Sequence, residues 1–230
     1  MLVNDGLAAG EPIDLVIFDC DGVLIDSEVI SNRTTVAALN ALGYPISEDE
    51  ALRTFTGRSY ASIQKDIELD WGRTLPRNFE ADVQQATLDE MATSLVAING
   101  VGDALSRLDR ARCVASSSSL EWISGGLRKT GLLDHFDPHL FSASMVENGK
   151  PAPDIFLHAA KQMGTPPERA LVIEDSVPGV TAGVAAGMRV IGFTGGTHII
   201  DKPGHAAQLS TVGASIAIDD MRTLPDLING

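Results

Sequence analysis

The chain has 230 residues, 44% of them hydrophobic, with a mean hydropathy of +0.09, which suits a full core and a globular protein as against a disordered one. Its 17 Lys and Arg against 31 Asp and Glu give a net charge of −14. This argues against nucleic acid or an anionic membrane surface as a partner, while a small anionic substrate stays open because binding depends on local charge.

Residues 1–12 lack a basic start and an apolar stretch of signal-peptide length, and no apolar run can span a bilayer. Cys20 and Cys113 are too few for a disulfide framework. The expectation is a cytoplasmic protein with reduced, packing cysteines. The apolar run Ile13 to Phe18, broken only by Asp14, suits a strand buried on both faces of a parallel sheet. Asp19, Asp21 and Gly22 follow at its carboxyl end, where open α/β sheets bind ligands. Asp and Gly are also ordinary turn residues, so the later chain must decide between a site and a turn.

Ser27 can cap a helix through Leu42, closed by Gly43. Helical patterns follow at Glu48–Phe55, Tyr60–Asp70 and Asn78–Val96, with no strand before about Ile98. A strand–helix alternation that stops here and then resumes predicts an all-helical insert. It resumes with a helix over Val101–Arg110 and a strand over Arg112–Ala115, and four serines, Ser116 to Ser119, come next. Ser118 and Glu121 have the spacing of a capping box, and a serine-rich turn from strand to helix offers donors to an anion.

Lys150 stands in the turn Gly149-Lys150-Pro151, just ahead of a helix over Asp154–Met163. Ala170–Ile173 reads as a buried strand ending in Glu174 and Asp175. A small-residue helix over Gly179–Ala186, a strand over Arg189–Phe193, a strand over Ala214–Ile218 and a helix over Asp219–Ile228 complete the pattern. The fold class is α/β, a doubly wound parallel sheet with an inserted helical domain.

Strand ends thus deliver Asp19, Asp21, Ser116, Glu174 and Asp175, and a turn delivers Lys150. Clustered carboxylates repel, so several in one crevice imply a cation, and all-oxygen ligation fits Mg²⁺ together with a phosphate. The pattern reads as metal-assisted phosphoryl transfer.

The order Asp19-x-Asp21-Gly22-Val23, Ser116, Lys150-Pro151 and Glu174-Asp175-Ser176 resembles the four motifs of the haloacid dehalogenase superfamily. Phrases such as DGVLIDSE, GKPAPDIF and IEDSVPGV resemble its β-phosphoglucomutase-like and phosphoglycolate-phosphatase-like branch, over essentially the whole chain. The resemblance implies a Rossmann-like core of residues 1–26 and 97–230, with a helical cap of residues 27–96. It implies Asp19 as nucleophile and Asp21 as general acid–base. Ser116, Ser117 and Lys150 would hold the phosphate. Asp19, the Asp21 carbonyl oxygen and Asp175 would hold Mg²⁺, with Glu174 close or ligating.

Asp21 argues against dehalogenation and phosphonate hydrolysis, and Cys20 after Asp19 argues against the P-type pumps, leaving phosphate esters. The expected partner is a small phosphorylated metabolite, a sugar or sugar-acid phosphate, with Arg58 in the cap as the candidate for its selection. Two alternatives stay open: a β-phosphoglucomutase-type mutase, and a binding or regulatory protein on the same fold. The stretch Phe79–Val96 has no Lys or Arg where the mutases carry a lysine. Asp19, Asp21, Lys150 and Asp175 are all present, as an active enzyme requires.

Overall fold

In the computed structural model, which describes residues 12–55 and 60–229, the four apolar residues Leu15–Phe18 form strand β1, all of them buried. Asp14, the polar break in the apolar run, lies just ahead of the strand and pairs with Arg169 at 2.6 Å. The other strands are β2 (Ala111–Ser116), β3 (Leu140–Ser142), β4 (Ala170–Glu174), β5 (Arg189–Phe193) and β6 (Ile216–Ile218). They form one sheet in the order β3-β2-β1-β4-β5-β6, and every pairing is parallel. The chain winds outward from β1 to β3, then returns to the other side of β1 for β4. The β1–β4 boundary is therefore the switch point at which such sheets bind ligands.

The chain divides into two compact units, Ser27–Leu95 and the segments on either side of it. The helical unit contains α1 (Ser27–Leu42), α2 (Glu48–Phe55), α3 (Tyr60–Trp71) and α4 (Phe79–Ser94). Leu39, Ile67, Leu75, Phe79 and Val83 form its core. Between α1 and α4, the buried hydroxyls of Thr34 and Thr87 meet at 2.7 Å, and Arg33 pairs with Glu90. Each hydroxyl also meets a main-chain carbonyl of its own helix, Thr34 that of Ile30 at 3.1 Å and Thr87 that of Val83 at 2.8 Å, so neither is left unbonded in the interior. Arg73 stacks over the Trp71 ring at 4.3 Å. Arg58 lies outside the described residues.

The sheet unit continues with α5 (Val101–Arg107), α6 (Leu120–Lys129), α7 (Asp154–Gln162), α8 (Val177–Ala185), α9 (Lys202–Thr211) and α10 (Leu224–Asn229). Leu15, Ile17, Cys113, Ala115 and Val172 pack with Ile155, Phe156, Val180 and Ala182 in one buried cluster. Phe18 meets the edge of Phe136, with centroids 5.7 Å apart. Cys20 and Cys113 are free thiols in this interior, and burial pushes both thiols well above their ordinary pKa. No helix among the described residues is long and apolar enough to cross a membrane.

Several elements depart from the pattern-based expectation. Strand β3 and helix α9 were not expected at all. Helix α5 stops at Arg107, where Leu108 turns extended. The expected final helix over Asp219–Ile228 is a 3-10 turn, Met221–Thr223, followed by α10.

Candidate active site

Strand register brings the polar residues to one edge. Phe18 stands level with Val114 of β2 and Ile173 of β4, and the Asp19 amide still donates to the Ile173 carbonyl at 3.0 Å. Asp19 and Glu174 are thus each one step beyond a shared level, and Ser116 is two steps beyond it. Side chains that are apolar within the sheet give way to polar ones where the strands end.

Lys150 reaches into this edge. Its Nζ donates to Asp19 Oδ1 at 2.5 Å, Glu174 Oε1 at 2.7 Å and the Ala115 carbonyl at 3.2 Å, while its side chain is only 5% exposed. Burial opposes the ammonium charge, but Asp19 and Glu174 outweigh it and hold the Lys150 pKa above its ordinary value. The second Glu174 oxygen accepts from the Ser176 amide at 2.7 Å and the Ser176 hydroxyl at 2.9 Å. Ser176 is also the N-cap of α8, accepting from Gly179. A Cβ at residue 179 would lie 1.7 Å from Glu174 Oε1, so glycine is what lets α8 start against this carboxylate.

Asp19, Glu174 and Asp175 are buried and can each place an oxygen within 4.8 Å of the others. Burial raises the pKa of Asp19 well above its ordinary value, Lys150 pulls it down, and the neighbouring carboxylates raise it further. Asp175 is raised in the same way, by burial first and then by Glu174. Three carboxyl groups, Asp19, Glu174 and Asp175, gather around one ammonium, Lys150, so the cluster is rich in acidic oxygens that a divalent cation would hold in their ionised form. The donor set is all oxygen, and hard oxygen donors suit Mg²⁺. The residues present therefore fit that ion.

Asp21 is held beside this cluster. Its Oδ2 accepts from the Ser118 hydroxyl at 2.6 Å and lies 3.5 Å from the Ser116 hydroxyl, and its Oδ1 accepts from the Trp122 indole N–H at 2.8 Å. The expected capping box of Ser118 with Glu121 is not formed. The Ser118 amide turns back onto the Ser116 hydroxyl at 3.1 Å, so the helix begins one residue later. Ser119 then caps α6 by accepting from the Trp122 amide. That shift frees the Ser118 hydroxyl for Asp21 and sets Trp122 in the first turn of α6, facing the same carboxylate. Ser117 is exposed in the turn between β2 and α6.

Sequence reasoning missed Trp122 and two histidines. His198 Nε2 lies 3.1 Å from Asp175 Oδ2, and His205 Nε2 donates to the Asp175 main-chain carbonyl at 2.5 Å. One signal was available for His198. It follows the paired glycines Gly195-Gly196 in the loop after β5, at the carboxyl edge beside β4. His205, in α9, carried no comparable signal.

The sequence profile of the haloacid dehalogenase-like hydrolases matches residues 13–187. The 6-phosphogluconate phosphatase of Escherichia coli K12 is 34% identical over 192 residues, covering 83% of this chain and 86% of the relative. Among solved structures, a haloacid dehalogenase-like protein of unknown function from Agrobacterium tumefaciens has 41% identity and a TM-score of 0.88, covering 94% of this chain and 98% of its own. A family hydrolase from Deinococcus radiodurans, solved with bound phosphate and sodium, has 31% identity and a TM-score of 0.77 over 94% and 97% of the two chains. The chain therefore belongs to the haloacid dehalogenase-like hydrolases and, within them, to the enzymes that hydrolyse phosphoric monoesters.

Proposed function

We propose that this protein is a Mg²⁺-dependent phosphatase that hydrolyses a small phosphorylated sugar or sugar acid through an aspartyl-phosphate at Asp19. The observation that carries the reading is the buried set Asp19, Glu174, Asp175 and Lys150 at the β1–β4 switch point. A carboxylate is a weak nucleophile in water and gains reactivity where water is excluded and its orientation is fixed. Asp19 has both, being 7% exposed and held by Lys150.

Asp19 attacks phosphorus as the bond from phosphorus to the leaving oxygen breaks. Asp21 gives its proton to that oxygen, then takes one from the water that attacks the aspartyl-phosphate, releasing inorganic phosphate. Ser116, Ser117 and Lys150 hold the phosphate oxygens and offset their charge. Asp19, the Asp21 carbonyl oxygen and Asp175 would hold Mg²⁺, with Glu174 close by, and the bound ion would neutralise charge on the transferring group.

The 6-phosphogluconate phosphatase relative supports a sugar-acid phosphate as substrate class. The helical unit serves as the cap that selects the leaving group, with Arg58 as a cationic grip on a carboxylate or second phosphate of that group. Hydrolysis is favoured over a mutase reaction because α4 offers no Lys or Arg for a second phosphate. The free, buried cysteines support a cytoplasmic location.

The test is a Mg²⁺-dependent assay over a panel of sugar and sugar-acid phosphates, with Asp19→Asn alongside. Acid quenching during turnover, followed by borohydride reduction, should convert residue 19 to homoserine, read by mass spectrometry. Turnover by Asp19→Asn near the wild-type rate, with no modified residue 19 in the wild type, would overturn the reading.

A further inference from the structure

The loop joining β5 to α9 brings His198 against Asp175, and the environment of that imidazole is more specific than the 3.1 Å contact alone. The side chain of His198 is 3% exposed, with Nε2 at 3.1 Å from Asp175 Oδ2. Two glycines make room for the ring. A Cβ at Gly196 would lie 2.5 Å from His198 Cε1, and one at Gly22 would lie 2.7 Å from the same atom. The Gly22 Cβ would also lie 2.1 Å from Asp175 Oδ2, and Gly22 has a φ of +74°, which side chains rarely adopt. The backbone of the Asp-x-Asp-Gly turn thus closes over both the imidazole and the carboxylate oxygen it holds. On the far side, His205 Nε2 fixes the Asp175 main-chain carbonyl. Main chain and carboxylate of this one residue are each pinned by a histidine.

We propose that His198 is a positioning residue that makes Asp175 a one-oxygen ligand and thereby favours Mg²⁺ over Ca²⁺ at this site. The inference rests on the metal reading given above and adds to it the source of ion selectivity. A carboxylate can bind Ca²⁺ through one oxygen or both, in a loose shell of six to eight oxygens, whereas Mg²⁺ demands near-octahedral geometry and shorter bonds. An Nε2–H seated 3.1 Å from Oδ2 would engage that one oxygen and leave Oδ1 to the ion. The close backbone of Gly22 and Gly196 prevents the ring from swinging aside to admit a two-oxygen arrangement. Partners of this kind orient metal ligands and typically contribute about 10–100-fold in metal affinity.

The experiment is calorimetric titration of metal-free protein with Mg²⁺ and separately with Ca²⁺, for wild type, His198→Leu, His198→Gln and Asp175→Asn. Leucine fills the clamp without a donor, and glutamine keeps an N–H. His198→Leu should lose about 10–100-fold in Mg²⁺ affinity, with a much smaller change for Ca²⁺, while His198→Gln should retain most of the wild-type preference. An unchanged Mg²⁺/Ca²⁺ ratio in His198→Leu would overturn the proposal. Wild-type Mg²⁺ affinity in Asp175→Asn would instead remove the underlying metal reading, so the two failures are distinguishable. On the unmodified protein, the His198 ring signals in a long-range ¹H–¹⁵N spectrum should move with Mg²⁺ saturation. Signals that stay in place would overturn the proposal even where neither variant folds.

Discussion

Replacing Lys150 by methionine should destabilise the protein in a way that depends on pH. Methionine keeps an unbranched stem of similar length beside the Phe156 ring, which the ammonium now approaches to 4.9 Å, so the change removes charge and donors more than volume. Asp19 and Glu174 lose their shared partner at 2.5 and 2.7 Å, and three buried carboxylates are left without a cation. Breaking a buried pair from one side costs about 3–5 kcal/mol. At about 2–4 °C per kcal/mol for a chain of this size, the melting temperature should fall by roughly 6–20 °C.

The pH dependence follows from the carboxyls. Burial already holds Asp19 and Asp175 above their ordinary pKa, and Lys150 is the group pulling both down. Without it their folded pKa values rise further above the unfolded value of about 3.9. A carboxyl shifted upward contributes stability that is full below the unfolded pKa and is lost as pH rises through the folded pKa. The deficit of Lys150→Met should therefore be largest at pH 8 in chelator and shrink at pH 5. Mg²⁺ at a hundred times its dissociation constant should return about 2.7 kcal/mol. A fall below about 2 °C at pH 8, on a scale of 2–4 °C per kcal/mol, would refute the assignment of Lys150 as buried counter-charge.

Three other changes probe the rest of the site. Trp122→Phe removes the donor to Asp21 Oδ1 and should lower kcat/KM for a sugar phosphate by about 10-fold or more, the size of a lost hydrogen bond to a charged group. Because p-nitrophenyl phosphate needs little protonation of its leaving group, it should lose much less, and equal losses would place Trp122 outside acid–base work. Gly179→Ala forces a methyl group into Glu174 and should cost about 1–3 kcal/mol in urea unfolding, together with weaker turnover. Arg58→Ala should lower kcat/KM for the natural substrate by roughly 10–100-fold and leave p-nitrophenyl phosphate nearly unchanged, whereas a loss on neither substrate returns Arg58 to an ordinary surface role.

The parts of the fold legible in the sequence are those in which local pattern and tertiary environment agree. Strands β1, β4 and β5 are apolar runs because both their faces are covered, and α2 and α4 follow helical spacing closely. Asp19, Ser116, Glu174 and Asp175 were legible for the same reason: a polar residue directly after a buried run marks the end of a strand. Strand β3 has three residues, and no repeat of period two can be read from so few. Helix α9 carries Pro203 and Gly204 in its first turn and buries only Leu209, so its start rests on Asp201, which caps it by accepting from the Gly204 amide at 3.0 Å. Trp122 meets Asp21 across a separation of 101 residues, and His198 meets Asp175 only because β5 lies beside β4. Such pairings follow from strand order, which residue spacing does not contain. The misplaced cap at Ser118 has a different cause. Four consecutive serines offer equivalent caps, and the length of β2 decides between them.

The points where the chain leaves and re-enters the sheet unit have an evolutionary consequence. Ile25 bridges Ala97 in an antiparallel pair, the Asp26 amide donates to the Val96 carbonyl at 3.0 Å, and the Ile98 amide donates to the Leu24 carbonyl at 3.0 Å. To the sheet, everything from Ser27 to Leu95 is one loop with its ends already side by side. Closing such a loop costs little more for a long insert than for a short one, because the entropy grows only with the logarithm of length. A lineage can therefore lengthen, shorten or replace this cassette without re-threading a single strand. On the proposed role of the insert as a cap, reaction chemistry and substrate range are inherited as separate traits, and one catalytic scaffold can be carried to new metabolites by changes confined to the insert.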